Sequence, residues 1–313
     1  MKYYIKKIIT LIISLLLASL VVFVAFSVIP GDAAATKLGT NATAEQIEEL
    51  REEMGLNDPV IIRYFRWLKD AFTGDFGDSL MYSGFTVNEL LAVRLPNTAM
   101  LSLISFFMIV CFSIPIGIFA AKRKSAAARG SVTVITQITM GIPSFFLGVL
   151  LTYLFSLTLS WFQLGNYPGL SESFWASVKY LIFPAIAISL PKIAMTSRFI
   201  TTSIRSELHK DYVRTAYAKG CTRNAVLYKH VLKNSMVPVV TFMGVVVADI
   251  VAGSIIVEQV FSVPGIGSLL VTAITNRDYN TASAVVLIIA FFIIAINFIV
   301  DMIYKAVDPR VEV

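Results

Sequence analysis

The sequence predicts an all-α polytopic membrane protein with six transmembrane helices. Three observations lead there. Of 313 residues, 57% are hydrophobic and only 15% are charged, against roughly 25% charge in a soluble domain, and the mean hydropathy is +0.76. The apolar residues gather into six runs, each long enough for a hydrocarbon core that takes about 20 residues. Lys and Arg collect at the ends of these runs and form no basic-aromatic surface motif. The net charge of +6 is therefore an orientation signal, and no nucleic-acid partner is expected.

The first run covers residues 8–29, behind Lys2, Lys6 and Lys7. It is about twice the roughly 7–15 residues of a signal-peptide core. An uncleaved helix is therefore expected over residues 1–29, although Ala33, Ala34 and Ala35 follow at once. Residues 30–95 form the next unit, a loop dominated by acids: Asp32, Glu45, Glu48, Glu49, Glu52, Glu53, Asp58, Asp70, Asp75 and Asp78. Thr43 followed by acids predicts a helix start, Gly55 its stop, and Asn57-Asp58-Pro59 a turn. Residues 60–72 read as a second amphipathic helix with Ile61, Tyr64, Phe65 and Leu68 on one face. Its aromatic residues suit the headgroup level, and Gly74-Asp-Phe-Gly77 suits a turn.

Residues 96–313 hold the other five runs: 98–121, 132–159, 176–194, 237–257 and 282–303. With no water in lipid to bond a bare backbone, each must be a helix. Pro115, Pro143, Pro184 and Pro191 predict kinks or helix ends. Charge sets the orientation. Lys2–Lys7, Lys122-Arg-Lys124 with Arg129, the basic stretch 192–234, and Lys305 with Arg310 belong on the cytoplasmic side. The acidic 30–95 loop belongs outside, and both termini inside. No repeat or low-complexity segment appears.

No catalytic constellation is present. There is no Gly-x-x-x-x-Gly-Lys-Ser/Thr phosphate loop, no Gly-x-Ser-x-Gly elbow and no His-Glu-x-x-His pair. Cys111 and Cys221, like His209 and His230, lack metal-ligand spacing, so no metal site is expected and both thiols should be reduced. Asp249 is the acid nearest the middle of a span. It either lines a pore and contacts substrate, or is protonated or hydrogen-bonded to a neighbouring helix. One acid is too few for a proton relay. The chain reads as a transmembrane pathway without a motor.

That turns attention to segment 205–234. Its Asp211-Tyr-Val-Arg-Thr-Ala-Tyr-Ala-Lys-Gly220 and following Cys-Thr-Arg-Asn-Ala-Val-Leu-Tyr-Lys-His230-Val-Leu-Lys-Asn234 are polar and basic between two apolar runs. Ala216 and Gly220, four apart, would share one face of a helix. Either another backbone approaches that bare face, or the face packs on the chain itself and Gly220 is a C′ stop.

These residues resemble the cytoplasmic motif of ABC importer permeases: Glu-Ala-Ala, three residues, Gly, then nine residues before Ile-x-Leu-Pro. Aligned on Gly220, the Ala-Ala positions are Thr215 and Ala216. Arg214 stands at the Glu position, His230 at the Ile position and Lys233 at the Pro position. Those departures resemble the first permease of the oligopeptide, dipeptide and nickel group. The likeness extends along the chain: Ile29-Pro-Gly-Asp32, Met54-Gly-Leu-Asn-Asp-Pro59, Gly74-Asp-Phe-Gly77, Arg94-Leu-Pro-Asn-Thr98, Gly141-Ile-Pro-Ser144, Val257-Glu-Gln-Val-Phe261, Pro264-Gly-Ile-Gly267, Asn276-Arg-Asp-Tyr279 and Asp308-Pro-Arg310.

The resemblance implies a type I ABC importer fold in the cytoplasmic (inner) membrane of a bacterium. It implies a second, homologous permease (a heterodimer), two cytoplasmic ATPase subunits that bind ATP and Mg, and an external solute-binding protein or lipoprotein. The chain itself would be no enzyme and hold no cofactor. The ATPase-coupling residues would be Asp211, Tyr212, Arg214, Thr215, Ala216, Lys219, Gly220, Arg223, His230 and Asn234, with Arg214, Lys219 and Arg223 at the rim. Pro264, Gly265 and Gly267 would face the binding protein, or form a plain re-entrant turn. The 30–95 loop would touch that partner or cap the bundle. The cargo would be peptides, with nickel or a metal chelate as the alternative. A motor-free channel or secondary carrier is the distant one.

Overall fold

A computed structural model describes residues 2–28, 33–38, 42–123 and 126–307. In chain order the α-helices are α1 (Lys2–Val28), α2 (Ala33–Leu38), α3 (Ala44–Glu53), α4 (Val60–Thr73), α5 (Val87–Lys122), α6 (Ala126–Gly141), α7 (Ser144–Leu151), α8 (Phe174–Leu208), α9 (Asp211–Ala218), α10 (Arg223–Ala225), α11 (Leu232–Val260), α12 (Ile266–Thr275) and α13 (Tyr279–Val307). π-helical turns at Thr152–Thr158 and Val226–Val231 extend α7 and precede α11. Ile29-Pro-Gly-Asp32, Lys124 and Asp308-Pro-Arg310 lie outside the described residues.

Among the described residues, five helices are long and apolar enough to cross a membrane: Ile5–Val28, Val87–Lys122, Phe174–Leu208, Arg223–Val260 and Tyr279–Ile303. The expected run 132–159 is not one continuous helix. Gly130–Gly141 and Ser144–Thr158 meet at 88°. Pro143 is the N-cap of α7; a proline there forbids an intrahelical hydrogen bond and turns the preceding residue from the α region. Counting the bent pair as one span gives six. Pro115, Pro184 and Pro191 do not end their helices, and neither does Pro96. Arg94-Leu-Pro-Asn-Thr98 therefore lies inside α5 instead of opening it, because α5 starts at Val87.

The chain packs as two compact units, Met1–Thr98 with Val263–Ala295, and Ala99–Ser262 with Ile296–Val313. In the first unit, α3 starts as its sequence predicts. The Thr43 side chain accepts from the Gln46 amide and Gln46 returns the bond, a capping box. Gly55, at φ +64°, ends α3. On α4, Tyr64 and Trp67 pack on Phe23 of α1 with centroids 5.4 and 5.7 Å away, while Ile61 and Phe65 stay exposed. The buried Asp278 carboxylate before α13 accepts from Ser79 Oγ at 2.5 Å, Thr281 Oγ1 at 2.7 Å and the Thr281 amide at 3.1 Å. It so caps α13 and pins the 79–82 turn.

The second unit is built on close helix contacts. A Cβ at Gly117 of α5 would lie 2.7 Å from Ile200 Cγ2 of α8, and Thr201 Oγ1 donates to the Gly117 carbonyl at 3.1 Å. A Cβ at Gly244 of α11 would lie 2.6 Å from Val300. Small residues give membrane helices this proximity where no hydrophobic drive separates helix from lipid. Along the antiparallel pair α8 and α11, Tyr180 Oη donates to the Phe261 carbonyl at 2.6 Å and Phe199 stacks on Phe242 at 4.4 Å. Ser203 Oγ donates to the Ser235 carbonyl at 2.7 Å.

Candidate functional site

The connection between α8 and α11 is held by the body of the second unit from both directions. Its apolar side chains Val213, Ala216, Val226, Leu227 and Val231 are buried with Ala121 of α5, Ile200 and Ile204 of α8, and Val239 of α11. Two cations, Arg205 in the last turn of α8 and Arg223 of α10, then close the end of α5. A helix leaves its last carbonyls without intrahelical partners. Arg205 donates to the Ala120 carbonyl and Arg223 to the Lys122 carbonyl, each at 3.0 Å. Positive charge also suits a helix C-terminus. Lys122 Nζ in turn donates to Tyr228 Oη at 3.0 Å. Arg223, expected from the sequence at the rim, is exposed and also anchors within the chain.

The shared bare face of Ala216 and Gly220 does not form. Helix α9 stops at Ala218, and Gly220 sits beyond it at φ +80°. The Gly220 amide donates to Tyr217 and the Cys221 amide to Ala216, the pattern of a Schellman stop. Ala216 is buried in its own chain, 7% exposed. Of the two readings left open, packing on the chain itself with Gly220 as C′ residue is the one observed.

What α9 and its stop present outward is mainly polar, with Tyr217 exposed among it. Asp211, Arg214, Thr215, Lys219 and Gly220 are exposed, and Arg214 lies 3.7 Å from Asp211 with both side chains more than four-fifths exposed. The π turn over Val226–Val231 buries Val226, Leu227 and Val231 while exposing Tyr228, Lys229 and His230. Tyr212 Oη donates to Glu207 at 2.7 Å. Burial first, then the Glu207 carboxylate, raises the Tyr212 phenol above its ordinary value, with a hydrogen bond to Asn234 opposing. Tyr212 therefore stays a proton donor and ties the end of α8 to the start of α11.

Asp249 is not alone. Lys192 Nζ stands 2.5 Å from its Oδ2, with the side chains 24% and 44% exposed. Lys192, assigned from sequence to the start of a polar connecting stretch, instead lies at the middle of α8 (Phe174–Leu208), and Asp249 lies near the middle of α11 (Leu232–Val260). The remaining predicted residues, Pro264, Gly265 and Gly267, sit in the first unit. Asn97 Nδ2 donates to the Pro264 carbonyl at 2.8 Å, and the Ile266 amide donates to Thr98 Oγ1 at 2.9 Å. Gly265 and Gly267 are buried, so this turn is packed against the chain's own Asn97-Thr98.

Comparison with known proteins bears on the whole chain. Residues 113–313 match the family described as "Binding-protein-dependent transport system inner membrane component", and residues 1–104 match its N-terminal companion. The chain belongs to this family. Its relatives include the oligopeptide transport system permease protein AppB of Bacillus subtilis, 35% identical over 99% of each chain. A probable peptide ABC transporter permease of Sinorhizobium fredii, y4tP, is 33% identical over 99% of each. The glutathione transport system permease protein GsiC of Salmonella paratyphi A is 35% identical over all of this chain and 99% of its own. A solved structure, inward-facing conformations of the MetNI methionine ABC transporter, superposes with a TM-score of 0.57 at 17% identity, over 70% of this chain and 96% of that one. It shows the fold, that of a type I ABC importer permease. The protein is thus a membrane-embedded importer permease, as its motifs suggested.

Within that family frame, sequence reading missed three things. Lys192 was hidden by its place beside Pro191 and at the head of a basic stretch. Arg205 and Arg223 as caps of α5, and Asn97-Thr98 as the seat of the 264–266 turn, depend on long-range packing. The one usable signal was Asp249 itself, since a carboxylate at mid-span needs a partner.

Proposed function

We propose that this chain is one permease subunit of an ATP-driven peptide importer in a bacterial cytoplasmic membrane, with both termini and segment 205–234 in the cytoplasm. It would pair with a second, homologous permease, take peptides from an external binding protein, and couple to two ATPase subunits that hold ATP and Mg. The observation that carries this reading is the relation over 98–100% of the chain to permeases named for oligopeptide, peptide and glutathione transport.

The geometry supports a coupling role for segment 205–234. Its outward face, with Asp211, Arg214, Thr215, Lys219, His230 and Asn234 exposed beside the half-exposed Tyr217 and Tyr228, is mainly polar, which suits a reversible contact with a soluble subunit. Its inward face is locked to α5, α8 and α11. A rigid-body displacement of α9 therefore moves three spanning helices together, the kind of movement alternating access requires. The docking surface is the charged outer face, and the small residue Ala216 serves the inner one.

The test is reconstitution. The complex purified from its host through a tag on this chain is placed in proteoliposomes with the binding protein and labelled peptide or nickel. ATP-dependent accumulation of peptide is expected. Nickel uptake without peptide uptake would overturn the cargo, and co-purification without any ATPase would overturn the coupling.

A further inference from the structure

Lys192 and Asp249 meet at the centre of the α8–α11 packing. Twelve residues separate Lys192 from Tyr180 and twelve separate Asp249 from Phe261, which Tyr180 bonds. Seven further residues on each helix reach the stacked pair Phe199 and Phe242. At about 1.5 Å per residue, Lys192 lies about 18 Å from Tyr180 and about 17 Å from Ser203. That is the middle of a span of about 35 Å, comparable to a hydrocarbon core of roughly 30 Å. The pair is nevertheless open, with Asp249 44% exposed. Charges at this depth face a water-filled cavity or another protein surface, not lipid.

An ion pair in such a place resists separation, because each charge left alone in a low-dielectric site loses both water and partner. A lone cation drawn to Asp249 would orphan and repel Lys192, and a lone anion would do the reverse. Only a solute carrying both signs can part the pair and leave every charge satisfied. A peptide with free ends is such a solute.

We propose that Lys192 and Asp249 form a mid-membrane station for the terminal charges of a peptide, resting on the peptide-importer reading above. The α-ammonium pairs with the Asp249 carboxylate while the α-carboxylate of the same peptide pairs with the Lys192 ammonium, both at once, so that neither charge is left alone. The pair re-forms when the peptide leaves. Charge-assisted hydrogen bonds of this type exist equally for every side-chain sequence, so the station selects free termini without selecting residues. It also disfavours a bare divalent cation.

The experiment uses the reconstituted complex, with the binding protein loaded to the same occupancy with a dipeptide, its N-acetyl form or its C-amide form. Uptake is read per delivered peptide, and ATPase activity alongside. Wild type should move the free peptide about tenfold faster than either capped form, the scale of one charge-assisted hydrogen bond. Asp249→Asn should erase the N-acetyl penalty and keep the C-amide penalty. Lys192→Gln should do the opposite. Since each single change leaves a charge unpaired, the double variant Lys192→Gln/Asp249→Asn serves as the folded reference, and it should assemble, hydrolyse ATP and treat all three peptides alike. Wild-type ratios in all variants, or an equal loss of all three peptides, would overturn the station. If wild type moves no peptide in any form, the importer reading itself fails first.

Discussion

Gly220 illustrates how a residue keeps its importance while its reason changes. It holds φ +80° with open space where a Cβ would be. The cost of a side chain there is conformational, about 1–2 kcal/mol for a left-handed L-residue, and Asn tolerates that region better than other residues. Gly220→Asn should therefore keep near-wild-type stability, and Gly220→Val should lower it by about 1–2 kcal/mol, read as thermal unfolding in detergent. Equal melting of the two variants would show that the turn is not what Gly220 supplies. Gly117 is the opposite case. A Cβ there meets Ile200 Cγ2 at 2.7 Å and the Ser197 carbonyl at 3.0 Å, so backbone as well as side chain must shift. Gly117→Val should cost roughly 1–3 kcal/mol by overpacking, and unchanged melting would refute that contact. The helix-stop character of Gly220 was legible because a Gly at the end of a short polar helical stretch is punctuation. The crowding at Gly117 was not, because nothing local announces which neighbour a bare helix face will meet.

At the scale of elements, the sequence marked where helices exist more reliably than where they end. Thr43, Gly55 and Gly74 act through their own backbone and neighbours, and α3 and α4 begin and stop where those residues direct. The prolines act differently from one another because their effect depends on context. Pro143 breaks the chain into two helices at 88°, whereas α8 continues through Pro184 and Pro191, since neighbouring groups in a membrane bundle can satisfy the freed carbonyls. The joint between α5 and segment 205–234 was invisible for a related reason. It consists of Arg205 and Arg223 reaching carbonyls 85 and 101 residues away. Its consequence is testable. Arg223→Gln combined with Arg205→Gln should leave two α5 carbonyls unpaired and loosen the connection. The complex should still assemble, with binding-protein-stimulated ATP hydrolysis uncoupled from uptake several-fold. Unchanged uptake per ATP hydrolysed would show that α5 is not driven through these two bonds.

For the molecule as a whole, the decisive feature is that the mid-span carboxylate of Asp249 is not enclosed by the described side chains of its own chain. Had Asp249 been sealed among the helices of this chain, a self-sufficient carrier would remain a reasonable description. Instead Asp249 is 44% exposed and flanked on its helix by Val245 and Ile256, 52% and 53% exposed. Apolar residues on both sides of an open ion pair suit a seam that another helical surface closes, leaving the charges toward the path. The proposed heterodimer would supply such a surface. It follows that the purified chain alone, inserted in liposomes, should pass neither peptide nor small ions above background, with or without ATP. The complete complex should accumulate peptide only with ATP present. Flux through the chain alone would mean that its helices close a pathway by themselves, and would restore the motor-free channel or carrier as the better account. Retained silence in the single chain, together with uptake in the complex, places the pathway at a surface the chain shares.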